Sequence, residues 1–173
     1  MKRLHFAAFL MNATVAIGLA GLGVHEVKAE SKRQADMAEL IDKEIQQVYI
    51  DKQTDCLAKN IYFEARNQSF LGQRAVAWVT LNRVNDKKYP TSICEVVWQD
   101  GQFSWTHDGK SDNPTDKTSW MLAKFVAEMA IYTYGEIPDP TEGATMYHAN
   151  YVSPYWKKSF KKTVDIEDHI FYR

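Results

Sequence analysis

Cysteine is scarce in this chain. There are two in 173 residues, Cys56 and Cys94, with no Cys-x-x-Cys pair and no cluster of cysteine and histidine at metal-ligand spacing. Dithiol redox catalysis and a structural zinc site are therefore poor readings, and no cofactor is expected. A surplus of one charge is also lacking: the formal net charge is −1, so the basic footprint of a general nucleic-acid binder is missing. There is no internal repeat or low-complexity tract. No Gly-x-Ser-x-Gly stands around Ser104, which removes the usual context for a serine nucleophile there.

What is present is the composition of one globular domain, 45% hydrophobic and 25% charged. Aromatics reach 13%, with five Trp and nine Tyr. Their faces stack on sugar rings, yet they also fill cores, and composition does not separate the two uses.

The first 29 residues form a class of their own. Lys2, Arg3 and His5 make a basic start, residues 6–24 carry no charge, and Val27-Lys28-Ala29 precedes Glu30. This is the layout of a secretory signal peptide. The competing reading is an uncleaved anchor, because the apolar run approaches bilayer-spanning length. Ala, Gly, Asn12 and Thr14 dilute it and favour cleavage. Either way the domain is expected outside the cytoplasm, periplasmic or exterior. An even cysteine count in an oxidising space favours a Cys56–Cys94 disulfide, with two separate buried thiols as the alternative.

Residues 30–54 read as a charged helical spacer with a thin stripe at Met37, Ile41, Ile45 and Val48. Asp55 is a plausible N-cap for a helix over residues 56–66, opening the domain at 55–173. Gly72 precedes a helix over 73–85, Pro90 breaks the chain, and 93–98 is a short apolar stretch. Residues 99–116 have loop composition and 118–134 return to helix. Residues 144–148, 163–166 and 169–172 read as small strands. The sum is a mostly helical α+β domain whose central loop can wall a cleft.

Glu64 is a candidate acid. It lies three residues after Ile61 and seven after Leu57, on their apolar face. A carboxylate there is costly unless paired or protonated, and desolvation favours the neutral acid that glycosidic cleavage needs. The blander reading is a salt bridge to Arg66 or Arg83, or a solvated rim position. His107, His148 and His169 are a weak candidate zinc set with Glu64, which would make an amidase. Gln102-Phe103-Ser104-Trp105 offers hydrogen-bonding and stacking groups for a sugar. Lys157, Lys158, Lys161 and Lys162 read as a solvated face, with contact to an anionic polymer as the sharper alternative.

Together these segments resemble the SleB-type cell wall hydrolase family, over about residues 56–172. The carriers are Cys56-Leu57-Ala58 with Ile61-Tyr62-Phe63-Glu64-Ala65-Arg66, Gly72-Gln73-x-Ala75-Val76-Ala77 with Leu81-Asn82-Arg83-Val84, and Tyr89-Pro90-x-Ser92-Ile93-Cys94. Further carriers are Val96-Val97, Gln102-Phe103-Ser104-Trp105, Gly143-Ala144-Thr145 with Tyr147-His148, Val152-x-Pro154 with Trp156, and His169-x-Phe171-Tyr172. The resemblance implies a lysozyme-like fold, similar to resuscitation-promoting factors, with a small β-hairpin region. It also implies a peptidoglycan substrate and Glu64 as the catalytic residue. Gln73, Gln102, Phe103, Ser104, Trp105, Tyr147 and His148 are the candidate substrate contacts drawn from its blocks. Two departures stand out. The family usually has His where this chain has Met146, and an Ile-Gly pair where Ile166 is followed by Glu167 and Asp168. The first bears on the cleft, and the second is expected to alter only a turn.

Hydrolysis of a glycosidic bond ordinarily uses two carboxylates. The blocks hold only Glu64, and none of Asp100, Asp108, Asp112 and Asp116 is well placed to join it. A single acid suffices if the muramyl 6-hydroxyl attacks the anomeric carbon, so lytic transglycosylation is favoured over muramidase hydrolysis. A non-catalytic wall-binding module is the reading from another class. If the leader is cleaved, N-terminal sequencing of the exported protein will begin at Glu30; a sequence starting at Met1 in a membrane fraction would establish the anchor.

Overall fold

The computed structural model describes residues 24–173. The expected leader lies outside the described residues as far as residue 23. Among the described residues no helix is long and apolar enough to cross a membrane. Two units divide the chain at Lys43 and Glu44. The first holds the early part of helix α1 (Val24–Ala65), and its residues 26–43 are exposed.

The second unit, residues 44–173, contains the rest of α1, α2 (Phe70–Asn85), α3 (Ile93–Val97), α4 (Lys117–Thr133) and three strands, β1 (Met146–Ala149), β2 (Lys162–Ile166) and β3 (His169–Tyr172). The expected helix start at Asp55 is corrected, because α1 runs through it without a break. No Gly or Pro interrupts residues 24–65, and the Thr54 hydroxyl donates back to Ile50 O at 2.9 Å. Gln53 and Thr54 are buried, and Gln53 Oε1 accepts from the Cys94 amide at 3.0 Å. The packed structure thus begins before residue 55.

Helix α2 is buried on nearly every side, at Ala75, Val76, Ala77, Trp78, Val79, Thr80, Leu81 and Arg83. One face joins Leu57, Ile61, Val97, Phe103, Trp105 and Val126 in the larger core. Its other face, through Ala75 and Val79, meets Ala144, Ile166 and Phe171. The sheet is antiparallel in the order β1-β3-β2, with Tyr147 opposite Phe171 and His148 opposite Ile170. Period-two alternation puts Tyr147 and Phe171 on one face, and Met146, His148 and Tyr172 on the other.

The Glu167-Asp168 turn does more than change a turn. Glu167 Oε2 accepts from the Ser69 amide at 2.9 Å, at the N-terminus of α2. Gln68 Nε2 donates to Asp168 Oδ2 at 2.9 Å, and Asp168 N returns a bond to Gln68 Oε1 at 3.3 Å. Gly72 makes the approach possible, since a Cβ there would stand 2.8 Å from Glu167 Oε2.

Cys56 and Cys94 form a disulfide, with Cα atoms 5.2 Å apart, tying α1 to α3. The bridge closes a separation of 38 residues. Non-reducing mass measurement should find no free thiol, and Cys56→Ser/Cys94→Ser should lose about 3–4 kcal/mol in denaturant melts by the chain-entropy relation.

Candidate active site

Glu64 stands one residue before the end of α1. The site forms where β1 brings Tyr147 against it: Tyr147 Oη donates to Glu64 Oε2 at 3.0 Å. Two residues of α2 position that strand. Asn82 Nδ2 donates to Asp139 Oδ2 and to Ala144 O, each at 2.9 Å, while its Oδ1 accepts from Tyr134 Oη at 2.9 Å. Asp139 in turn accepts from the backbone of Thr141 and Gly143, at 2.7 Å each, so the segment entering β1 is held throughout. Arg83, 4% exposed, donates from Nε to Thr145 O at 2.7 Å.

Burial raises the Glu64 pKa above the ordinary carboxyl value, and the Tyr147 hydrogen bond and the Arg83 charge pull it partly back. Burial also drives the Tyr147 phenol well above its usual value, reinforced by the negative charge of Glu64, so the hydroxyl stays a donor. Among the described residues no ion pair includes Glu64. The alternative of a salt bridge to Arg66 or Arg83 is therefore not what the structure contains. Arg66 lies over the Tyr62 ring at 4.9 Å, and Arg83 packs by Tyr89 and Phe103. Met146, where the family usually has His, is a soft acceptor for Arg83 Nη2 at 3.9 Å and Tyr89 Oη at 3.7 Å. Sequence reasoning missed Arg83 as a site residue. The signal was its place one turn beyond Val79 on a helix with no free face.

The expected substrate contacts separate. Tyr147 reaches Glu64. Phe103 and Trp105 are corrected: they are 3% and 7% exposed and fill the core, where the Trp105 indole stacks on Phe63 at 4.7 Å and donates to Asn60 Oδ1 at 3.2 Å. Gln102 is half-buried and Ser104 exposed, so only the polar half of that motif is open. Gln73 is buried, and its Nε2 donates to Gln68 O at 3.1 Å in the α1–α2 corner. His148 is corrected too. It is buried on the opposite face of β1 from Tyr147, with its nitrogens against Ala149 O at 2.8 Å and Tyr172 Oη at 3.0 Å. Among the described residues the histidines do not gather with Glu64 as a ligand set.

No loop aspartate acts on Glu64. Asp108 accepts from the Lys110 amide at 2.9 Å, and Asp116 caps α4 through the Ser119 amide at 2.6 Å. The arrangement is one carboxyl whose pKa burial raises, one hydroxyl donating to it, and one buried guanidinium whose charge acts on it.

Residues 67–172 match the cell wall hydrolase family, and the chain belongs to it. The match starts three residues past Glu64. The chain is 31% identical over 124 residues to a spore cortex-lytic enzyme of Halalkalibacterium halodurans, covering 71% of this chain and 35% of that protein. It thus spans about a third of that relative's length. Two solved structures are similar. The catalytic domain of the germination-specific lytic transglycosylase SleB from Bacillus anthracis gives 28% identity and a TM-score of 0.59, covering 70% of this chain and 93% of that one. The catalytic domain of the Bacillus cereus SleB protein gives 27% and 0.60, covering 71% and 91%. The mostly helical, lysozyme-like α+β expectation is met, and the three strands read from the sequence form one small antiparallel sheet.

The raised carboxyl has a consequence for stability. Glu64 binds its proton more tightly folded than unfolded, so its favourable contribution is complete below the ordinary glutamate range and is lost as pH rises through the folded value. Glu64→Gln cannot ionise. It should melt above the parent near about pH 8 and converge with it near about pH 4, where both side chains are neutral.

Proposed function

We propose that this chain is a lytic transglycosylase that cleaves peptidoglycan strands between N-acetylmuramic acid and N-acetylglucosamine, with Glu64 as the single acid and base. The observation that carries the reading is geometric: Tyr147 Oη donates to Glu64 Oε2 at 3.0 Å, and among the described residues no ion pair and no hydrogen bond to a second carboxyl involves Glu64. In the reaction the Glu64 carboxyl gives its proton to the glycosidic oxygen as the anomeric C–O bond breaks. The muramyl 6-hydroxyl oxygen bonds to the same carbon and its proton passes to the Glu64 carboxylate, restoring the acid. No water is consumed and a 1,6-anhydro ring results. Tyr147 aligns the carboxylate through both halves, and the Arg83 charge favours its ionised form between them.

The relatives' names support the substrate class, since spore cortex-lytic enzymes and SleB act in the same family. Gln102 and Ser104 are the members of the Gln102-Phe103-Ser104-Trp105 motif that are not buried, and they offer an amide and a hydroxyl to a sugar. Export is part of the proposal, supported by the leader composition and by a disulfide suited to an oxidising space.

Mass spectrometry of digested walls tests the mechanism. Anhydro-muropeptides should dominate, one water (about 18 Da) lighter than hydrolytic products, an offset fixed by the bond chemistry. Reducing muramic ends with solvent-derived oxygen would replace the transglycosylase with a muramidase. Glu64→Gln should lose at least about 10²-fold in lysis, and a variant keeping a third of the parent activity would remove Glu64 from its role.

A further inference from the structure

The segment 150–162, between β1 and β2, has no part in the site around Glu64. It contains Lys157, Lys158, Lys161 and Lys162 and no acidic residue, in a chain of net charge −1. Lys162 is paired with Asp165 at 2.7 Å, and Lys157, Lys158 and Lys161 have no ion-pair partner among the described residues. Two aromatic rings accompany them. Tyr151 is 83% exposed and Tyr155 94% exposed, and neither meets another ring among the described residues.

This surface is held in place. Trp156 packs by its edge on His148 at 5.6 Å and on Tyr172 at 5.6 Å, and Phe160 packs on Trp156 at 5.9 Å. Asn150 N donates to Asp168 O at 2.7 Å, and Lys161 exchanges two backbone bonds with Arg173, each 2.9 Å. His148 and Tyr172 occupy the sheet face opposite Tyr147, so the anchored segment lies on the face that Glu64 does not use.

Tyrosines so fully in water give up the burial that usually stabilises an aromatic, and grouped exposed apolar surface marks an interaction site. Two exposed rings followed within one short segment by three lysines without ion-pair partners match one ligand chemistry: a sugar polymer with repeated negative charges. We infer that residues 150–162 form a second binding surface for an anionic glycopolymer. Its sugar rings lie on Tyr151 and Tyr155, and its carboxylates meet Lys157, Lys158 and Lys161. The polymer's identity rests on the proposed function: it is the peptidoglycan strand, whose stem peptides carry the carboxylates. Held on the face away from Glu64, the strand stays attached to the protein through each cut.

The test is co-sedimentation of the full chain with purified walls across a sodium chloride series. It is run in the Glu64→Gln background so that the walls stay intact. Three probes are used: untreated walls, walls stripped of phosphodiester polymers with hydrofluoric acid, and neutral chitin. Lys157→Gln/Lys158→Gln/Lys161→Gln should weaken wall binding by about tenfold or more at low salt and flatten its salt dependence, since each cation near an anionic surface contributes on the order of 1 kcal/mol. Loss on stripped walls is the expected result, and loss confined to untreated walls would overturn the assignment to peptidoglycan by placing the charge on phosphodiesters. Tyr151→Ala/Tyr155→Ala should weaken binding to walls while keeping the salt dependence. Equal binding by the triple variant and its parent on both kinds of wall, at every salt, overturns the inference. Binding is read without turnover, so a failure of the transglycosylase reading appears separately, in the digests of the unmutated protein.

Discussion

Helix α2 has almost no face left for water, and that confinement organises the second unit. A helix so largely buried is under pressure to partner its polar side chains internally, because an unpartnered buried donor or acceptor costs about 1–3 kcal/mol. Gln73, Arg74, Trp78 and Arg83 each keep one polar atom without a partner among the described residues, but several others are met. Thr80 meets Asn60 on α1 at 3.1 Å, Asn82 gathers Asp139, Ala144 and Tyr134, and Arg83 binds Thr145 O. Each of those bonds also fixes another segment. The last three determine where β1 begins and hence where the Tyr147 hydroxyl arrives. The site is thus a by-product of how α2 is covered.

The acid at that site is balanced rather than maximised. Burial alone would hold the Glu64 proton more tightly, while Tyr147 and Arg83 ease its release. An ion pair with Arg83 would have gone further and left the resting group ionised. Instead the guanidinium is spread among Thr145 O, Met146 Sδ and two aromatic rings, with Nη1 lacking a partner. Met146 suits that arrangement, since a thioether accepts weakly and leaves most of the positive charge uncompensated.

Most of the fold was legible, and the misses have local causes. The Ala-, Val- and Leu-rich run after Gly72 reads as a helix, and the three strands stand where β-branched and aromatic residues cluster. Helix α1 was read in two pieces because Thr54-Asp55 before an apolar run looks like a cap. The Thr54 hydroxyl is used inside the helix, and only the want of any Gly or Pro hinted at this. Phe103 and Trp105 were legible as a pair but not in direction, since a sugar-facing ring and a core-facing ring have one composition. For Tyr147 and His148 the strand period held the answer: adjacent residues cannot share a face, so one of the two had to turn from Glu64. The Glu167-Asp168 joint was invisible, because its partners lie about a hundred residues away.

The Tyr147–Glu64 bond joins residues 83 positions apart, with the α1 end contributing the acid and β1 its hydroxyl. During synthesis a chain that has emerged only through α4 holds Glu64 with no donor, and Arg83 with no carbonyl to bind. Strand β1 itself needs β3, the last strand, to pair with. Chain order therefore delays the Tyr147–Glu64 contact until both strands of the β1–β3 pair are present.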